Sequence, residues 1–122
     1  MKLLLILTLL LAQTSFVTRD GKPVIVTLKA DDVFVTVREE HDDKTLVTCV
    51  PYQDVIAVDY PVRASLDGIW FVIITARPHR NFEQRIERRN STTVEHKVDR
   101  LTVAFNDRSA AMRLVDALVV KF

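Results

Sequence analysis

The sequence predicts a mainly β domain closed by one C-terminal helix. Period-two alternation of β-branched with polar residues dominates from Lys22 onward, the pattern of half-buried antiparallel strands. After Asn106 the period changes. Ala111, Leu114, Val115, Leu118 and Phe122 then recur at i, i+3, i+4, i+7 and i+11, one stripe of a helix. At 122 residues the chain is long enough for one modest core and too short for two.

The elements follow in order. Val24, Val26 and Leu28 share one face of a first strand, with Ile25, Thr27 and Lys29 on the other. Ala30-Asp31-Asp32 breaks the pattern and Val33 to Val37 resumes it, so the two runs read as a hairpin joined by a tight acidic turn. Glu39 to Lys44 is a charged loop. Thr45 to Val50 is a third strand ended by Pro51, and Asp54 to Tyr60 a fourth ended by Pro61. Arg63 to Gly68 is a turn, after which Ile69 to Ile74, the most apolar run beyond the N-terminus, is the expected central strand. Asn81 to Asn90 is polar and arginine-rich with weak alternation, an edge strand or mobile loop. Thr92 to Val98 and Leu101 to Phe105 supply one or two closing strands, for a total of six or seven. Asn106, Asp107 and Ser109 are N-cap candidates for the helix, whose apolar stripe must lie on the sheet because a lone helix is marginal in water.

Residues 1–15 form a hydrophobic leader with two readings, and the domain proper spans 16–122. Lys2 followed by the apolar run Leu3 to Leu11 imitates a signal peptide cleaved after about Ala12; the same run also suits an extra strand. It is too short to span a bilayer. Asn90-Ser91-Thr92 is a glycosylation acceptor triplet if the chain is exported.

Composition excludes several functions. A formal charge of +1 provides no global attraction to nucleic acid or an anionic membrane. Only Gly21 and Gly68 are present, which removes both glycine-rich nucleotide loops. Cys49 is the sole cysteine, so neither an intrachain disulfide nor a cysteine-rich zinc site is available, and it lies in an apolar strand where a buried structural thiol is expected. His41, His79 and His96 lack metal-ligand spacing, and the acidic pairs Asp31-Asp32, Glu39-Glu40 and Asp42-Asp43 lack the glycine and terminal glutamate of a calcium loop. No catalytic residue, metal ligand or cofactor site is expected. One charge concentration remains: Arg77, Arg80, Arg85, Arg88 and Arg89 stand against Glu83 and Glu87. Arginine forks suit phosphate, so the five form a candidate anionic-ligand patch for a lipid head group or acidic partner, the alternative being a solvated edge whose charges prevent aggregation.

A family resemblance sharpens the fold. Val47-Thr48-Cys49-Val50-Pro51-Tyr52-Gln53-Asp54-Val55-Ile56-Ala57-Val58 resembles a strand of the N-terminal domain of sphingosine and ceramide kinases. Ile73-Ile74-Thr75-Ala76-Arg77-Pro78 and the ending Leu101 to Phe105, a polar cap and an Ala-Ala-x-x-Leu-Val-x-x-Leu helix are also similar to it. The resemblance covers roughly 22–122 and implies a pleckstrin-homology-like bent antiparallel barrel plugged by its C-terminal helix. It also implies a non-catalytic regulatory module, cytoplasmic and membrane-associated, whose partner is an anionic membrane surface or another protein. Kinase activity is not implied, since the catalytic domain with its glycine-rich loop is absent from this sequence. The first hairpin turn, Ala30-Asp31-Asp32, departs from phosphoinositide-binding members, which place Lys and Arg there. From a different class, the alternative is a small exported β protein that binds or scaffolds outside the cell. Oligomeric state is open.

Overall fold

The computed structural model describes residues 9–18, 21–64 and 68–119. Four strands, β1 (Leu9–Val17), β2 (Pro23–Ala30), β3 (Phe34–Glu40) and β4 (Lys44–Pro51), form an antiparallel meander. Its turns are written in the local sequence. Gly21 takes φ +79° in the loop closed by Thr18 N–H donating to Lys22 O, a conformation costly for any side chain. The Asp31 carboxylate accepts the N–H groups of Val33 and Phe34 at 2.8 and 2.9 Å, an Asx turn that fixes the β2–β3 hairpin.

A short 3₁₀ turn, Tyr52–Asp54, carries the chain out of this sheet, and the Tyr52 hydroxyl pins it to the hairpin by donating to Asp31 O at 2.9 Å. Next, β5 (Val55–Ala64) and β6 (Ile69–Ala76) pair in a second sheet. The chain then returns: β7 (Phe82–Arg88) joins β4 and β8 (Thr93–Val98) joins β7, before β9 (Arg100–Phe105) crosses back beside β6. The result is a six-stranded sheet ordered β1-β2-β3-β4-β7-β8 and a three-stranded sheet ordered β5-β6-β9, all pairs antiparallel.

The core lies between the sheets. Val24, Val26 and Leu28 on β2, Val35 and Val37 on β3, Val50 on β4 and Phe82 on β7 meet Val72, Ile74, Val103 and Phe105 of the second sheet. Helix α1 (Arg108–Val119) begins at Asp107, whose carboxylate accepts the Ser109 N–H at 2.9 Å, the expected cap. Its Ala110, Ala111, Leu114, Val115 and Leu118 are buried as the stripe requires, and the helix packs on β1, β5, β6 and β9. Thr14 hydrogen-bonds Asn106, and Arg113 reaches Leu11 O at 3.3 Å, so the helix end of the molecule is tied to the first strand.

Among the described residues the strand count is nine, not six or seven. One addition comes from the leader, whose residues 9–15 run straight into β1 with Ala12 buried against the core; residues 1–8 lie outside the described region. Another is β7. It is an internal strand between β4 and β8, neither an edge nor a loop; its alternation is weak because Gln84 takes a core-facing position and donates to buried Thr48 at 2.9 Å. The edge is β8. Pro61 does not end β5, because β5 is an edge strand whose register shifts between Asp59 and Val62, which spares the missing N–H. The predicted turn at 63–68 falls partly in β5 and partly outside the described residues, as does Phe122 of the helical stripe.

One carboxylate is held against its preference. Glu39 follows Val35 and Val37 on the core-facing side of β3, with its side chain only 15% exposed and its Oε2 3.4 Å from His41 Nε2. Burial raises its pKa above the ordinary 4.5, outweighing the opposing hydrogen bond to His41 and the charges of His41 and Lys44. A carboxyl whose folded pKa exceeds its unfolded one favours folding when protonated, so its contribution is complete below pH 4.5 and is lost as pH rises through the folded value. Thermal melts of Glu39→Gln are therefore expected to show a gain over the parent at pH 7 that shrinks toward pH 4. A gain that grows on acidification contradicts the assignment.

Candidate functional site

The five arginines do not form one patch. Arg77 and Arg80 sit in the β6–β7 turn, where Arg77 Nε donates to Gln53 O at 2.9 Å and Arg80 lies 3.8 Å from the Asp54 carboxylate. Arg88 and Arg89 are at the opposite end of β7, about 20 Å away at the rise of an antiparallel strand. There Arg89 is 3.6 Å from Asp42. Arg85 lies between the two ends and is paired with Glu87 at 2.9 Å. A turn groove of about 500 Å³ beside Arg77, His79, Arg80 and Arg100 also contains Asp99, which offsets part of its positive charge. Contiguity in sequence became two separated clusters, each accompanied by carboxylates, because the segment is extended rather than coiled. The acceptor triplet Asn90-Ser91-Thr92 occupies the β7–β8 turn, where Asn90 Oδ1 accepts the Thr92 N–H at 3.1 Å.

A more coherent surface lies on the outer face of the six-stranded sheet, away from the helix. Strand register lines up two rows across it. One runs Leu10, Lys29, Thr36, Cys49, Glu83, Lys97, and the next Gln13, Thr27, Arg38, Val47, Arg85, Glu95. Two hollows of about 480 and 510 Å³ occupy this face and share Thr36 and Val47. Phe34, Val47 and Cys49 give the first an apolar floor, while cross-strand opposite charges, Glu83 with Lys97 and Arg85 with Glu95, line its far side. Arg38 pairs with Glu40 at 2.8 Å on the near side. The surface is therefore apolar in the middle and balanced in charge around it. None of the sequence expectations named it, although the signal was available: Phe34, Val47 and Cys49 are apolar residues at positions opposite in parity to buried Val35, Thr48 and Val50.

Cys49 belongs to this face rather than to the core. It is half-buried on the hollow's floor, and burial, then the Glu83 and Asp31 carboxylates, push its thiol pKa above the ordinary range. That environment disfavours the thiolate a nucleophile needs. The histidines are dispersed: His41 beside Glu39, His79 in the β6–β7 turn at φ +65°, and His96 opposite Gln84 on the other side of the sheet from Cys49. Among the described residues no group of three or more His, Cys, Asp or Glu side chains is placed to hold a metal, and no helix is long and apolar enough to cross a membrane.

The two-sheet, one-helix architecture defines a mainly β domain with a grooved outer sheet face. Comparison with known protein families, curated proteins and solved structures finds no match for the chain.

Proposed function

We propose that this chain is a non-catalytic, regulatory binding module whose partner is a polypeptide held on the outer face of the six-stranded sheet. The observation that carries it is the pair of adjoining hollows, the first with an apolar floor of Phe34, Val47 and Cys49 and a rim of opposite charges. Such a surface suits a chain with alternating apolar and charged side chains, and lacks the concentrated positive charge that a phosphate-bearing membrane surface needs. The pleckstrin-homology-like reading is part of this proposal. Set the β7–β8 hairpin aside, and seven antiparallel strands followed by one helix remain, the order of that superfold. The likeness of the Val50-Pro51 strand and the closing helix to the N-terminal domain of sphingoid-lipid kinases supports it further.

The test is selection of displayed peptides on the folded domain, with a Val47→Glu variant as the comparison. Val47 is half-buried on the outer face, so the substitution places a charge on the hollow floor without touching the core. Selected peptides are expected to lose at least about tenfold in affinity for Val47→Glu, the effect of about 1.4 kcal/mol at a central contact. Equal binding to both forms removes the hollow as the site. Sedimentation with anionic vesicles that Arg77→Glu/Arg80→Glu abolishes overturns the polypeptide reading in favour of a lipid one.

A further inference from the structure

Strand β8 is an open edge of the six-stranded sheet. All its residues except Val98 are exposed, and among the described residues no strand lies beyond it. It carries no proline and no bulge to blunt it, and its charges, Glu95 and Lys97, leave it open only to a strand that answers both. The hydrogen-bonding phase of the β7–β8 hairpin is set by Arg88 N–H donating to Thr92 O at 2.9 Å. In an antiparallel pair, bonded and non-bonded positions alternate, so Val94, His96 and Val98 bond inward to β7, while Thr93, Glu95 and Lys97 direct their main-chain N–H and C=O groups to the free edge.

From this we infer that the chain self-associates through antiparallel β8–β8 pairing about a two-fold axis at His96. Only residues 93, 95 and 97 offer groups to the edge, so a symmetric pairing must match these positions with one another. Axes at Glu95 or Lys97 set like charges directly opposite, and an axis at Val94 sets Glu95 against Thr93. The axis at His96 alone places Glu95 opposite the partner's Lys97, and Lys97 opposite the partner's Glu95, each pair exchanging both main-chain hydrogen bonds. The same register sets Val94, 45% exposed, against the partner's Val98 on the inner face. It joins two six-stranded sheets into one and extends the outer hollow, whose far side Glu95 and Lys97 form, across the junction. The inference does not depend on what occupies the hollow.

Sedimentation velocity between about 10 μM and 1 mM tests it, the range in which a small strand-edge interface associates. The intact chain is expected to show a concentration-dependent dimer. Glu95→Lys and Lys97→Glu are each expected to weaken it by at least about tenfold, since each sets like charges opposite twice. Mixing the two variants should restore the dimer. Each variant also disturbs its own chain, because Glu95 faces Arg85 and Lys97 faces Glu83 across the hairpin, but mixing leaves those intrachain defects in place and repairs only the contact between copies. Glu95→Pro is a second arm: it deletes an edge-facing N–H that β7 does not use, and it should abolish the dimer while circular dichroism stays that of the folded domain. A monomer throughout the range, single reversals without effect, or no recovery on mixing overturns the inference.

Discussion

Phe105→Ala is expected to cost about 3–5 kcal/mol of stability, the range for deleting a fully buried aromatic ring. The ring is completely buried on β9, which pairs with β6 and receives α1, and it directly precedes the Asn106-Asp107 segment that ties β1 and caps the helix. The hole it leaves therefore lies where both sheets and the helix converge. Domains of this size have total stabilities of about 5–15 kcal/mol, so the substitution removes a large share. Phe34→Ala is the comparison, because Phe34 lies on the outer face, half-buried on the hollow floor, and its loss is expected to stay near 1 kcal/mol. Urea unfolding followed by circular dichroism measures both. Equal costs would mean that the core does not lie between the sheets.

The elements that could be read from sequence are those whose partners are local. Strands β2 and β3 alternate cleanly and their turn contains its own fixing side chain, Asp31, so face and hairpin followed from a dozen residues. The helix was legible because its stripe and its Asp107 cap agree. Strand β4 was only half legible. Leu46, Val47, Cys49 and Val50 are apolar on both parities, and its face is settled by register with β3, where Val37 stands opposite Thr48. That register turns Cys49, expected in the core, outward and makes it part of the hollow's floor. The excursion of β7 and β8 into the first sheet was not legible at all. Their inner face holds a polar pair, Gln84 with Thr48, separated by 36 positions in the chain, and such a contact has no local signature. The five arginines are spread apart for a related reason: proximity along an extended segment is distance in space, and alternate residues point to opposite faces.

Leu114→Asp is expected to abolish cooperative folding. Leu114 is fully buried at the middle of the α1 stripe, between Ala111 and Leu118. A carboxylate there loses hydration without gaining a partner, since no cationic group among the described residues is buried in the core. The protein must protonate the group, open the helix or expose the sheet. Each course costs more than about 4 kcal/mol, close to the whole stability of a small domain. Asp116→Asn, two residues away on the exposed side, is expected to leave the melting temperature nearly unchanged. Thermal unfolding of the pair separates two roles for the helix. As an accessory laid on a finished sandwich, it would release on mutation and leave the strand signal melting cooperatively. As the closing element it takes the strands with it, because Val72, Ile74 and Phe105 lie in the sheet it covers and β1 is fastened to its N-terminal end through Thr14 and Asn106. Among the described residues none of the helix lines the outer hollow, yet the hollow rests on the register of β1 to β4, and that register is held by the buried side of the same strands. Loss of the helix should therefore abolish binding at a surface it never touches.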